Sequence, residues 1–180
     1  NTMQISTADD EGGLVSYTTT VGESAGLTAA GTGVILNNFL GEEDILPAGG
    51  LRAAGKRMMT SMCPSIMSDG QGTRVALGSA GSARIKSAIL QVMTNVIDRK
   101  MPLQEAVRVP RIHVEGETLY VEGYGRSEAE VEALRSLSDS FEATWDCGFY
   151  FGGAQAVLRG PSGFQAGADV ERRGCVARTA

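Results

Sequence analysis

The residues that could carry chemistry in this sequence are mainly hydroxyls. Thr2 opens a β-prone run that continues to Ala8, and a second β-prone run, from Leu14 to Thr20, ends in three threonines. An acidic, glycine-ending turn separates the two runs, and this pattern predicts a β-hairpin. Strand pairing would bring Thr2 beside the threonines at 18–20, so that one hydroxyl could act as a nucleophile and another as its hydrogen-bond partner. The alternative is that these threonines are simply good strand residues.

A second chemical candidate is a bend between a strand and a helix. A strand predicted at Arg74–Leu77 runs into the small residues of Gly78–Arg84. Peptide N–H groups at a helix start favour an anion. A Walker-type phosphate loop would need Gly-Lys-Ser/Thr, which is absent, so an oxyanion hole and a plain tight turn are the two interpretations left. The helix is predicted from apolar residues that recur on one face, namely Ile85, Ala88, Ile89, Val92, Met93 and Val96.

Composition sets the limits for these candidates. The chain has 180 residues, 42% hydrophobic and 21% charged, which is typical of one globular domain. It contains no run of eighteen apolar residues, so we expect no membrane span in this chain. The net charge of −5 with scattered Lys and Arg argues against nucleic acid as a partner.

Few residues are available for metal or histidine chemistry. The three cysteines, Cys63, Cys147 and Cys175, are far apart, and His113 is the single histidine. We therefore expect no metal site, no disulfide framework and no Ser-His-Asp triad. If the chain carries out nucleophilic chemistry, its base is not expected to be histidine; His113 itself is interpreted as a structural residue at a strand end.

The remaining pattern predicts more strands than helices. A loop at 21–33 precedes a short strand at 34–36, and residues 39–57 form a long surface loop of the kind that serves as a lid or binding loop. We read Asp9–Glu11 as a solvated turn rather than a calcium site. Further strands are expected at 58–67, 111–114, 118–122, 153–158 and 164–168. A helix over 101–109 ends before Pro110, and a capping box at Ser127–Glu130 opens one that points Val131, Leu134 and Leu137 inward. These elements predict an α+β layered domain.

Several segments, in this order, resemble the small, C-terminal subunit of the gamma-glutamyltransferase family. They are Ser6–Asp9 with Val15–Thr20, Gly33–Asn38, Lys56-Arg57 leading into Thr60–Met62, Gly78–Gly81, Ile89–Gln91, Ala106–Arg111 and Gly167–Asp169. The resemblance covers nearly the whole chain. Members of the family are N-terminal-nucleophile hydrolases that cut themselves to expose a catalytic threonine.

The resemblance implies a set of catalytic residues. Thr2 corresponds to the nucleophile, with its own α-amine as the base, and Thr20 to the threonine that hydrogen-bonds it. Gly81 and Ser82 correspond to a Gly-Gly pair whose N–H groups form the oxyanion hole. Ser82 can still donate its N–H, provided that its backbone conformation suits a residue with a Cβ.

The resemblance also implies substrate contacts, with departures. Thr60 and Ser61 correspond to a Ser-Ser pair that binds the substrate α-carboxylate. Glu42 stands near the aspartate that holds the substrate α-amino group, one methylene longer. Phe39 replaces a polar residue, and Gly22 stands where transferases carry Asn or an acidic side chain, so that an acyl group other than glutamyl is a further expectation.

Asn1 precedes the expected nucleophile. An amine base requires that nothing precede Thr2, so Asn1 is the last residue before an uncut bond, an added residue, or the sign of a member that never matures. In an uncut precursor the Thr2 hydroxyl would attack the Asn1 carbonyl in an N-to-O shift.

The resemblance as a whole predicts a four-layer αββα sandwich, with residues 1–180 as a single domain completed by a large subunit from the same precursor. The expected activity is cleavage of a gamma-glutamyl or related amide through an acyl-threonine, with transfer to water or an amine and no cofactor. The alternatives are a related acylase or amidohydrolase, and a catalytically silent paralogue that binds an amino-acid-like ligand. Family members are often exported, which favours a periplasmic or secreted location.

Overall fold

The computed structural model of the chain describes residues 2–42, 54–172, 174 and 176. The strands in these ranges are Thr2–Ala8 (β1), Leu14–Thr20 (β2), Ser65–Ser68 (β3), Arg74–Ala80 (β4), Ile112–Glu115 (β5), Thr118–Glu122 (β6), Ser140–Thr144 (β7), Gly153–Gly160 (β8) and Gly163–Ala168 (β9). The α-helices are Ile85–Ile97 (α1), Leu103–Arg108 (α2) and Glu128–Arg135 (α3). None of the described helices combines the length and the apolar character that a membrane crossing requires.

The predicted hairpin is confirmed, with the predicted strand bounds. β1 and β2 pair antiparallel in a register that places Thr2 opposite Thr20. At the turn the Asp9 carboxylate accepts the Gly13 N–H at 2.6 Å. Residues 9–11 are exposed, which confirms that they form a solvated turn.

The two faces of the hairpin differ in polarity. On the inner face Gln4 is buried, the Ser6 hydroxyl donates to the Gln155 carbonyl at 3.1 Å, and the Ser16 hydroxyl donates to the Leu77 carbonyl at 2.8 Å. Since those carbonyls belong to β8 and β4, hydroxyl groups attach the hairpin to the neighbouring sheet. The outer face carries exposed apolar side chains, namely Met3, Ile5, Val15 and Tyr17.

A four-stranded antiparallel sheet lies between the hairpin and helices α1 and α2, in the order β3-β4-β8-β9. The predicted apolar face of α1 is confirmed, since four of its residues are buried and Met93 and Val96 are partly buried. α2 ends at Arg108, as the proline at position 110 predicts. The result is an α+β arrangement of a helix layer, a sheet and a hairpin. The core between helices and sheet includes Leu77, Ile85, Ile89, Val92, Leu103, Val107 and Ala154.

A separate three-stranded sheet has the order β5-β6-β7, with β6 and β7 parallel. The parallel pair requires a crossover, which α3 provides. The capping box is confirmed, because the Ser127 hydroxyl accepts the Glu130 N–H at 3.3 Å and the Glu130 carboxylate accepts the Ser127 N–H at 2.8 Å. Val131 is buried as predicted, whereas Leu137 is 71% exposed because it lies beyond the end of α3.

Two predicted strands are wrong in part, and one strand was not predicted. The strand at 34–36 is absent apart from a single bridge between Thr28 and Ile35, and its residues are exposed. The strand expected over 58–67 forms only from Ser65, directly after Pro64, which lacks the N–H that a ladder needs. β7 was not predicted, since its sequence, SFEAT, mixes polar and apolar residues over a short run. Of the long loop at 39–57, residues 43–53 lie outside the described residues.

Candidate active site

An open cleft of about 300 Å³ lies at the end of the hairpin. Strand ends, the strand–helix bend and two loop segments contribute to its wall. Every site residue predicted from the sequence lines it, namely Thr2, Thr20, Glu42, Thr60, Ser61, Gly81 and Ser82. Residues without a predicted site role also line it, including Glu23, Met62, Arg84, Ile85 and Phe149.

The two threonines at the hairpin end are in hydrogen-bond contact. Thr2 Oγ1 donates to Thr20 Oγ1 at 3.2 Å, and Thr20 Oγ1 also accepts the Gly22 N–H at 2.9 Å. Both threonines are half-buried. The strand register places the two residues opposite each other, and the hydrogen bond between their side chains orients the Thr2 hydroxyl.

The bend after β4 brings backbone into the same cleft. Gly81 has a φ of 132°, and a Cβ there would lie 2.5 Å from the Gly152 Cα, so only glycine fits. Ser82 has a φ of 52°, in the left-handed region that few residues with a Cβ adopt. A 3-10 turn at Ser82–Arg84 then leads into α1. Peptide N–H groups at such a junction favour a negative charge, as an oxyanion hole requires.

A buried ion pair supports this bend from behind. Arg111 and Asp169 are 2% and 0% exposed, and Arg111 Nη2 donates to Asp169 Oδ2 at 2.7 Å. Arg111 Nη1 also donates to the Gly152 carbonyl at 3.0 Å, and Asp169 Oδ2 accepts the Ala154 N–H at 2.6 Å. Burial raises the pKa of Asp169, whereas the Arg111 charge opposes that shift. The pair therefore holds Gly152, against which Gly81 packs.

The side of the cleft formed by loops holds Glu42. Its Oε1 accepts the Glu23 N–H at 2.9 Å. Phe39 is half-buried on the same wall. The Thr60 hydroxyl accepts the Met62 N–H at 3.1 Å and so shapes the segment that leads to β3.

Arg84 adds a positive charge that the sequence pattern did not single out. Its Nε donates to the Tyr150 carbonyl at 3.1 Å, and its guanidinium lies 4.6 Å from the centroid of the Tyr150 ring. Among the described residues, the cleft wall thus contains the Arg84 guanidinium together with the carboxylates of Glu23 and Glu42. No pattern in the sequence marked Arg84, because its position depends on the aromatic residue sixty-six positions away.

His113 lies outside the cleft wall. It is the second residue of β5 rather than a strand end, it is buried, and its Nδ1 is 2.7 Å from the Ser87 hydroxyl. Burial lowers the pKa of His113, and Glu115 opposes that shift. These contacts agree with the structural role predicted for it. Among the described residues, no His, Cys, Asp and Glu side chains are grouped in a way that could hold a metal ion.

Comparison with known proteins decides the family. A family model described as gamma-glutamyltranspeptidase matches residues 1–179. The chain belongs to the gamma-glutamyltranspeptidase family. The structure of a gamma-glutamyltranspeptidase from Pseudomonas nitroreducens, solved in complex with L-DON, matches with a TM-score of 0.80 and 26% identity, over 98% of this chain and 99% of that one. This match confirms the predicted family and fold class.

Curated relatives of this family carry two kinds of name. The acylase ACY 1 proenzyme of a Pseudomonas strain is 39% identical over 125 residues, which are 68% of this chain and 22% of that protein. The glutathione hydrolase proenzyme of Pseudomonas aeruginosa is 29% identical over an alignment of 190 positions, which covers 96% of this chain and 34% of that protein. The chain therefore spans about a fifth to a third of the length of these relatives.

Proposed function

We propose that the chain is the small, catalytic subunit of a gamma-glutamyltranspeptidase-like enzyme. In this proposal Thr2 attacks the carbonyl carbon of a gamma-glutamyl amide, and the acyl group passes through a threonine ester to water or to an amine. The observation that carries the proposal is the 3.2 Å hydrogen bond between the Thr2 and Thr20 hydroxyls, in a cleft that Gly81 and Ser82 also line.

The proposed reaction needs a base, and the α-amine of Thr2 fills that role once the Asn1–Thr2 bond is cut. The amine takes the hydroxyl proton as Oγ1 bonds to the carbonyl carbon. The N–H groups of Gly81 and Ser82 stabilise the oxyanion of the tetrahedral intermediate. When the intermediate collapses, the carbon–nitrogen bond breaks and the leaving amine takes the proton. Water or an acceptor amine then attacks the ester and releases Thr2.

The same hydroxyl serves the proposed maturation. Thr2 Oγ1 attacks the Asn1 carbonyl carbon and the acyl group moves from the Thr2 nitrogen to Oγ1, which frees the Thr2 amine. Hydrolysis of the resulting ester then releases Asn1 and regenerates the Thr2 hydroxyl. Asn1 lies outside the described residues. The proenzyme names of the relatives support a processed precursor for this family.

Substrate binding is assigned to the loop side of the cleft. We assign the substrate α-carboxylate to the hydroxyl groups of Thr60 and Ser61, and the α-ammonium group to the Glu42 carboxylate. Opposite charge and hydrogen bonding together make a carboxylate a strong partner for an ammonium group.

A large subunit from the same precursor is the proposed partner, with residues 1–180 acting as one domain. The support is the outer face of the hairpin, where four large apolar side chains are each about half exposed or more. Clusters of exposed apolar residues mark protein interfaces. Strands paired with the edges of the hairpin, together with a helix layer packed on this face, would complete the four-layer sandwich.

A second candidate is an acylase of the same family with a different acyl group. It is favoured by the 39% identity to the acylase proenzyme and by Phe39, an apolar side chain on the cleft wall. Efficient cleavage of a gamma-glutamyl anilide would decide for the first candidate. Cleavage of other acyl amides with no gamma-glutamyl activity would decide for the acylase.

The proposal is tested by Thr2→Ala with the two subunits produced separately and the small subunit beginning at position 2, because this variant lacks the hydroxyl that the proposed maturation requires. We expect the variant to lose activity on the anilide by about a thousandfold or more, because the nucleophile is gone. Thr28→Ala is the matched control, since Thr28 is exposed in a loop away from the cleft wall. Equal activity of Thr2→Ala and wild type would overturn the proposal, and a wild type that binds amino-acid-like ligands without turnover would identify a silent paralogue.

A further inference from the structure

We propose that Gly22 is a specificity-determining residue, because the Glu42 carboxylate occupies the space that a side chain at position 22 would fill. The inference rests on the proposed function and deepens it. Glu42 supplies the charge that binds a donor ammonium group, and Gly22 decides where that charge lies.

The space above Gly22 is filled by the Glu42 carboxylate. A Cβ at position 22 would lie 1.7 Å from Glu42 Oε1 and 2.8 Å from Glu42 Cδ. The same Cβ would lie 2.5 Å from Asn38 Oδ1, an amide oxygen that is buried and has no hydrogen-bond partner among the described residues. Any side chain at position 22 therefore displaces the carboxylate.

Two consecutive peptide N–H groups connect this position to the catalytic threonines. The Gly22 N–H donates to Thr20 Oγ1 at 2.9 Å, and the next N–H, that of Glu23, donates to Glu42 Oε1 at 2.9 Å. Thr20 Oγ1 in turn accepts from Thr2 Oγ1. The short segment 20–23 thus sets the separation between the nucleophile and the carboxylate.

This arrangement predicts the effect of a side chain at position 22. With the carboxylate displaced from the Glu23 N–H, a donor that carries an ammonium group loses its partner. A donor of the same length without the ammonium group makes no such contact. The change in KM for the charged donor should therefore exceed any change that the two donors share.

The experiment compares Gly22→Ala with Gly26→Ala in the processed protein. Gly22 has a φ of 64° and Gly26 a φ of 69°, so alanine meets the same backbone cost at both. A Cβ at Gly26 meets nothing within 4 Å. The probes are gamma-glutamyl-p-nitroanilide and glutaryl-p-nitroanilide, which differ by the ammonium group. A crystal structure of each variant locates the Glu42 carboxylate.

In Gly22→Ala we expect KM for the gamma-glutamyl anilide to rise about tenfold relative to KM for the glutaryl anilide, because only the gamma-glutamyl donor loses a charged hydrogen bond. The Glu42 carboxylate should leave the Glu23 N–H in this variant and stay on it in Gly26→Ala. A carboxylate that stays in place in Gly22→Ala, or equal changes in KM for both anilides, would overturn the inference. A wild type that cleaves neither anilide would overturn the proposed function instead, and the two crystal structures would still decide the Gly22–Glu42 coupling.

Discussion

At one end of the cleft, Thr2 and Thr20 occupy strand ends and Gly81 follows directly after β4. At the other end, Glu42, Thr60 and Ser61 belong to segments without strands or α-helices. The first end, which we call the rigid end, is fixed by strand register and by close backbone packing. The second end, which we call the loop end, is shaped by individual side chains. Its residues can therefore change without disturbing the sheets. Under the proposed function the rigid end carries out the chemistry and the loop end selects the substrate, which agrees with a family whose members include proteins named acylase and proteins named glutathione hydrolase.

The largest effect should come from the ion pair behind the rigid end. We expect Arg111→Met to lower the free energy of unfolding by about 3–5 kcal/mol, because it leaves Asp169 buried without its cation. Urea unfolding of the processed protein measures the change. Arg108→Met is the control, since its pair with Glu171 is 58% and 27% exposed and should contribute less than about 1 kcal/mol. Equal losses in the two variants would show that the buried pair does not support this end.

The next effect tests the hydroxyl contact at the same end. We expect Thr20→Val to lower kcat by about a hundredfold with little change in KM, because the Thr2 hydroxyl loses the acceptor that orients it. Thr19→Val is the control, since the next residue of β2 faces away from the cleft wall. Steady-state kinetics on the anilide separates kcat from KM. A Thr20→Val variant with wild-type kcat would mean that the hairpin register alone orients Thr2.

At the loop end the expected effect is smaller and falls on KM. Glu42→Gln should raise KM for a gamma-glutamyl donor by about tenfold, because a neutral amide binds an ammonium group less tightly than a carboxylate does. kcat should change little, since Glu42 takes no part in bond making or breaking in the proposed mechanism. Glu117→Gln, an exposed site on the β5–β6 turn, is the control. An unchanged KM would contradict the assignment of catalysis to the rigid end and of substrate binding to the loop end.

The smallest effect concerns His113, outside the cleft. Burial places its folded-state pKa below the ordinary value of 6.5, so the unfolded chain binds a proton first as the pH falls. Its contribution to stability is therefore complete above the unfolded pKa and is lost as the pH falls through the folded pKa. Free energies of unfolding at pH 7.5 and 5.0 should differ less in His113→Gln than in wild type. An identical difference in both proteins would contradict this assignment.

Local signals in the sequence predicted the rigid end well. The turn at Asp9–Gly13 and the flanking β-prone runs defined both strands of the hairpin, and the apolar spacing of α1 identified its buried face. The run at 34–36 was misleading, since its apolar residues are exposed rather than buried in a sheet.

Contacts between distant parts of the chain left no local signal. The Arg111–Asp169 pair joins residues fifty-eight positions apart, and their identities reveal a partner only once both are seen to be buried. The fit between Gly22 and Glu42 likewise depends on the fold of the loop between them. The Arg111–Asp169 pair positions the backbone of the site and, under the proposal above, Gly22 and Glu42 set its specificity. This is why the sequence predicted the proposed chemistry better than the substrate.

Peptide mass mapping of the processed protein, quenched with acid during turnover of a gamma-glutamyl anilide, tests the central claim most directly. The account predicts a peptide that begins at Thr2 and carries one gamma-glutamyl group on that residue. A peptide in which the Asn1–Thr2 bond is intact, or an acyl group on any other residue, would contradict it.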